Sequence, residues 1–137
     1  MRIARLLTLV PSALGLVIAG ATSASAADAA LDGAWSYGGT CEETFAQQGR
    51  VVSFKKPVDL FAPAFIISGA RLRTPMASCG IKSTRRVGDR RILKLSCATS
   101  IAHSDVTAIL APGPEGTLRR FSSDGDTIGS SYKRCAL

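Results

Sequence analysis

The residues best suited to chemistry lie between two cysteines, in the stretch SCGIKSTRRVGDRRILKLSC that runs from Ser78 to Cys97. Lys82, Arg85, Arg86, Arg90, Arg91 and Lys94 crowd around a central Gly88. Three chemistries use such residues: a thiolate metal or redox centre, a disulfide that pins a hairpin, and a cationic finger for an oxyanion. The last follows from the planar guanidinium, whose fork of N–H donors matches carboxylate and phosphate. Zinc sites usually show a close C-x₂₋₄-C pair, whereas Cys41, Cys79, Cys97 and Cys135 are far apart. Four cysteines in a small exported chain read instead as two disulfides, with three possible connectivities. Neither a metal site nor a cofactor is expected.

The remaining polar residues offer little catalysis. His103, Ser104 and Asp105 carry the letters of a hydrolase triad, but consecutive residues of an extended segment point to alternating faces and cannot relay a proton among themselves. The DGD of Asp124–Asp126 lacks the further oxygen ligands and distal glutamate of a calcium loop. Glu42 and Glu43 suit the positive end of a helix. No phosphate-cradling glycine motif occurs, so an enzyme is not expected. Single-strand nucleic-acid binders interleave aromatics with their charges, and aromatics are only 6% of this chain, so no nucleic-acid partner is expected either.

The N-terminus speaks to compartment. Arg2 and Arg5 precede an apolar run, Leu6 to Gly20, broken by Pro11, and Ala24-Ser25-Ala26 fits an A-x-A cleavage pattern. Residues 1–26 therefore read as a secretory signal peptide. The run is shorter than the ~20 residues of a spanning helix, so no membrane span is expected in the mature chain. Residues 27–137 then form one small disulfide-stapled β domain, whose formal charge is the chain's +7 less the two arginines removed. An arginine-rich chain without asparagine suits a GC-rich bacterial genome, and the compartment reads as periplasm or exterior.

Positioning falls to strands. Short β-branched or aromatic runs separated by Gly, Pro and Asp are the mark of an antiparallel domain. Eight strands are expected, near 33–37, 51–55, 64–70, 79–85, 91–97, 105–110, 117–122 and 127–134, as a small meander barrel. Thr40 with Glu43 is a capping-box pattern, so one short helix is expected over 41–48, stopped by Gly49. Asp124-Gly125 suits a two-residue type I′ turn.

Register decides how the central stretch reads. With a three-residue loop Val87-Gly88-Asp89, Cys79 faces Cys97, Ile81 faces Leu95 and Ser83 faces Leu93, which puts the cysteines and leucines on one burial-competent face. With a two-residue Gly88-Asp89 loop, Cys79 meets Ala98 and the apolar sets part, because a slip of one residue flips a strand. The first register is the consistent one. It predicts Cys79–Cys97, leaving Cys41 with Cys135. It also sets Lys82 against Lys94, Arg85 against Arg91 and Arg86 against Arg90, and directly opposed like charges destabilise a sheet. An anion lying between them, or long stems splayed into water, would relieve the repulsion. Arg119, Arg120, Lys133 and Arg134 could extend the patch.

LDGAWSY, Leu31 to Tyr37, opens the domain with Gly33-x-Trp35, and Tyr132-Lys133-Arg134 lies near its end. This resembles the start and finish of lipocalins and the wider calycins. The resemblance implies a barrel with Trp35 at its closed end and Arg134 stacked over it, a contact in which a guanidinium meets an indole face. The chain is shorter than a typical lipocalin, and eight short strands suit a core filled with side chains. ISGAR, Ile67 to Arg71, is similar to the Ser-Gly-x-Arg loop of a family of periplasmic lysozyme inhibitors. Three functions follow as expectations. The first is a non-enzymatic exported module presenting its basic hairpin to an anionic envelope component or acidic protein. The others are an inhibitor of a secreted protease or lysozyme, and a small-ligand carrier.

Overall fold

The structure is a computed structural model that describes residues 28–137. The signal peptide expected at 1–26 lies outside the described residues. After a 3₁₀ turn at Ala29–Leu31 come β1 (Gly33–Ser36), α1 (Cys41–Thr44), β2 (Phe45–Gln48), β3 (Val51–Phe54) and β4 (Ala64–Ser68). The rest is a run of strands: β5 (Arg71–Arg73), β6 (Ser78–Val87), β7 (Arg90–Ala98), β8 (His103–Pro112), β9 (Leu118–Phe121) and β10 (Ser130–Cys135). Strands β4 to β10 pair in sequence as an antiparallel meander, and β1 closes the barrel between β10 and β4. Closure removes the free edges an open sheet would expose.

The barrel has the expected eight strands, but one member differs. The strand at Val51–Phe54 pairs with Phe45–Gln48 as a separate hairpin, and its place is taken by β5, where only Leu72 of Arg71–Arg73 is buried. The helix expected over 41–48 stops at Thr44. Thr40 makes no side-chain capping bond. Instead Phe45 is buried and stacks on Phe54 at 5.6 Å. Gly49, at φ 62°, begins the turn between the two strands. Burial of an aromatic pair outweighs a barely two-turn helix, whose propensity contributes only tenths of a kcal/mol per residue.

The hairpin of β6 and β7 uses both registers. Its tip closes as the two-residue turn, with Val87 opposite Arg90 and Arg86 opposite Arg91. A β-bulge between Ile81 and Ser83 then absorbs one residue, Lys82, and beyond it Ile81 faces Leu95 and Cys79 faces Cys97. Such a bulge resets alternation on one strand only. The like-charge pairs Lys82–Lys94, Arg85–Arg91 and Arg86–Arg90 therefore do not form: Lys94 faces Ser83, Arg85 faces Ile92, and Arg86 faces Arg91.

Asp124 and Gly125 do form the centre of a turn, in which the Asp126 N–H donates to the Ser123 carbonyl at 3.1 Å, but neither has the positive φ of a type I′ turn and they are not a two-residue connection between strands. Ser122 to Gly129 is a longer loop, gathered by the Asp126 carboxylate. That group accepts from the backbone N–H of Ser122, Ile128 and Gly129 and from the Ser122 hydroxyl, at 2.9–3.0 Å. These donors hold its pKa far below the usual carboxylate range. Gly129 is needed where it stands, at φ 68° with the Arg120 carbonyl 2.9 Å from where a Cβ would be.

Side-chain alternation gives the barrel an inner and an outer apolar layer. Inside lie Leu31, Trp35, Phe65, Ile67, Leu93, Leu110 and Leu118 with the Cys79–Cys97 disulfide. Outside, Ala34, Ala64, Ile66 and Cys135 are covered by Phe45 and by Cys41, Val52 and Phe54 of the helix and hairpin. The Cys41–Cys135 disulfide staples that cover to the last strand, and the Arg73 guanidinium donates to the Val52 carbonyl at 2.7 Å. Cys41–Cys135 spans 94 residues and Cys79–Cys97 spans 18. By loop-closure entropy their removal costs roughly 4–5 and about 3 kcal/mol respectively. Urea unfolding of the two Cys→Ser pairs should rank them in that order. Equal or inverted losses would show that the Cys41–Cys135 cover is not an integral layer.

Candidate functional site

The two ends of the barrel differ. At one end the chain before β1 folds across the opening. The Trp35 Nε1–H donates to the Leu31 carbonyl at 2.9 Å, and Trp35 and Leu31 are both fully buried. The Arg134 guanidinium lies 4.3 Å from the centre of the indole ring and donates to the Ala30 carbonyl at 3.1 Å and to the Asp32 carbonyl. Gly33 makes room for it: at φ 148° its missing Cβ would sit 2.5 Å from an Arg134 nitrogen.

Two of the six basic residues of the hairpin reach this closed end. Arg86 and Arg91 share one oxygen of Asp28, at 3.0 and 2.9 Å. Arg91 is buried and also donates to the Asp89 carbonyl at 2.8 Å. The one like-charge pair left by the bulge is thus bridged by a carboxylate supplied by the chain itself. The others lie elsewhere. Lys82 pairs with Asp105 at 3.0 Å, and Lys94 donates to the Thr107 hydroxyl at 3.0 Å. Arg90 lies over the Phe121 ring at 3.8 Å and donates to the carbonyls of Asp124 and Asp126. Arg85 alone of the six is exposed and without a side-chain partner among the described residues. The structure disperses these cations to several places and engages five of them internally.

The opposite end is open. A cavity of about 440 Å³ enters the barrel there. Leu60, Met76, Ala77, Val106 and Ala108 give it most of its open surface, over a closely packed floor of Phe65, Leu95, Leu110 and the Cys79–Cys97 disulfide. The expectation of a core filled throughout is corrected here. Side chains fill the end that holds Trp35, while small residues such as Ala77 and Ala108 leave the other end unfilled. Exposed Leu60, Met76 and Val106 form part of the rim. Close to them in the chain, Phe61 and Ile101 are 88% and 93% exposed. Ser104 lines the cavity while its neighbour Asp105 holds Lys82, so His103, Ser104 and Asp105 are spread over two faces of β8 as alternation requires.

One residue of the lining was grouped with the surface patch in the sequence and belongs here instead. Arg120 shares an inward face of β9 with the fully buried Leu118, and it is the one charged residue of the cavity. The signal was the alternation of Leu118-Arg119-Arg120-Phe121, which separates the two arginines onto opposite faces. Among the described residues no group of three or more His, Cys, Asp or Glu could hold a metal ion, and no helix is long and apolar enough to cross a membrane. Fold and site define a small closed β-barrel with one plugged end and one open, apolar end. No protein-family model, curated protein or solved structure matches the chain.

The Asp28 bridge makes an acid-side prediction. Hydrogen bonds from Arg91, the Ala30 N–H and Arg86 lower its pKa from 3.8 to about 2. A carboxylate with a depressed folded-state pKa stabilises the fold above its unfolded value and loses that contribution as pH falls through the folded one. Asp28→Asn should therefore lower the melting temperature at pH 7 and narrow its gap to wild type between pH 4 and 2. A gap independent of pH would contradict the bridge.

Proposed function

We propose that this protein is a non-enzymatic, exported binding module whose barrel takes a small, mainly apolar ligand through its open end. The observation that carries the reading is the cavity. Its volume falls in the ~300–1,000 Å³ range of small-molecule sites, and it has the apolar walls and few polar groups such sites use. An eight-stranded barrel has an interior of the size that either fills with side chains or holds one small ligand, and here the open half supplies the second option. The exposed apolar side chains at the rim offer a ligand a continuous surface from the mouth inward. Two disulfides suit an oxidising compartment, in keeping with the signal-peptide reading.

The test is binding of an uncharged fluorescent probe, N-phenyl-1-naphthylamine, to wild type and to Ala108→Trp, which places an indole in the cavity. Wild type should raise the probe's emission saturably, and the variant should bind at least about tenfold more weakly while keeping its melting temperature within a few degrees. Unchanged binding by Ala108→Trp, or none by wild type, would sink the reading.

A second reading keeps the basic hairpin as the contact to an anionic envelope component or acidic protein. Exposed, unpartnered Arg85 is the observation that favours it. Lys82, Lys94 and Arg86 would contribute their outward charge, while buried Arg91 and loop-bound Arg90 are committed to the fold. Under this reading Arg85→Ser should weaken retention on vesicles containing anionic lipid at low salt and lose its effect at high salt. Retention equal to wild type at low salt would dismiss it.

A further inference from the structure

The cavity carries a single charge, and its place in the barrel gives that charge a use. Arg120 pairs with Ser130 across β9 and β10, and Tyr132 pairs with Leu118. The two side chains that project inward here, Arg120 and Tyr132, are thus diagonal neighbours on one face, ~7–8 Å apart at the backbone. Both line the cavity. Neither makes a hydrogen bond or ion pair to protein among the described residues, and Tyr132 is nonetheless buried.

That idleness sets Arg120 apart from the arginines around it. Arg119 turns outward, donates to the carbonyls of Thr127 and Ile128 and lies 5.1 Å from the Phe121 ring centre. Arg90 covers the other part of that ring, and Arg134 is spent on Trp35 and two carbonyls. Asp126 holds its own loop, and Asp105 holds Lys82. A guanidinium at the edge of an apolar cavity, with no carboxylate from its own chain, favours an anion brought in by a ligand. The guanidinium fork matches an oxyanion with two parallel charge-assisted hydrogen bonds. The Tyr132 ring is buried, but its hydroxyl keeps accessible surface and can donate a second hydrogen bond to the same oxyanion.

We propose that the cavity is selective for single-tailed amphiphiles with an anionic head group, the head held by the Arg120 guanidinium and the Tyr132 hydroxyl and the tail against Phe65, Leu95 and Leu110. The inference rests on the ligand-binding reading above and adds the class of ligand. A cavity of about 440 Å³ lies at the small end of the ligand-site range, which suits one chain rather than two. The arrangement also orients the ligand. Arg120 is exposed at the mouth while the partly covered Ala108 lies further in, so the head stays at the mouth and the tail points inward.

The experiment compares three probes with the same tail: dodecanoate, dodecan-1-ol and dodecyltrimethylammonium, each displacing N-phenyl-1-naphthylamine from the whole protein below its micellar concentration. Wild type should bind dodecanoate at least about tenfold more tightly than dodecanol, and the cation most weakly, since a charge-assisted bond exceeds that difference. Arg120→Gln should erase the preference for dodecanoate and leave dodecanol within about twofold, Arg120→Lys should restore part of it, and Tyr132→Phe should reduce it by a smaller factor. Equal affinity of wild type for dodecanoate and dodecanol, or an unchanged preference in Arg120→Gln, would overturn the anionic-head proposal while leaving an apolar cavity in place. Failure of all three probes to displace a dye that Ala108→Trp also fails to exclude would overturn the cavity reading and the proposal with it.

Discussion

In an antiparallel barrel each residue faces either the interior or the outside, and one bulge at Lys82 resets that choice midway along β6. Below it, the tight turn at Gly88-Asp89 sets Arg86 opposite Arg91, both directed toward Asp28. Above it, Cys79 and Ile81 share the interior with Leu95 and Cys97. A hairpin held to either single register would satisfy one half and invert the other. The extra residue is itself used: Lys82 points out and meets Asp105 on β8. The inner disulfide, the Asp28 bridge and the apolar cavity wall all follow from where alternation is reset.

Much of this was legible in the sequence because it depends on local rules. The strand runs, the pairing of Cys79 with Cys97, and hence of Cys41 with Cys135, follow from alternation and burial of a single hairpin face. What escaped depended on partners distant in the chain. Asp28, at the start of the described chain, carries nothing in its own neighbourhood to mark it as the partner of Arg86 and Arg91. The bulge was hidden because two registers each explained half of the residues, and only the whole barrel accommodates both. Phe45 looked like one face of a short helix, since nothing local shows that Phe54 and the outer surface of β1 and β4 wait to bury it. β5 is not legible in the sequence, because a three-residue strand of two arginines around Leu72 has almost no periodic signal.

The site shows the same division. The charged hairpin drew attention because its residues are dense in sequence, yet the fold engages most of them with Asp28, Asp105, Thr107 and the carbonyls of the β9–β10 loop. Arg120 looked like one more surface cation. Its parity with Leu118 places it inside the mouth, where a charge without a protein partner has a different meaning from one on a solvated face. Trp35 and Arg134 close one end and the disulfide cover braces the outside, so the open end is left as the region where small side chains and few constraints coincide.

The central claim is that this open end receives a ligand whose chain lies along the inner wall. Intermolecular NOEs between a bound dodecyl chain and the protein methyls test it most directly. The account predicts contacts from the chain to Leu95, Ala108 and Leu110, and none to Ile109 or Ala111, which face outward one residue away. Contacts confined to exposed Phe61 and Ile101, or to the outer set, would show that the chain only coats the surface and would contradict the account.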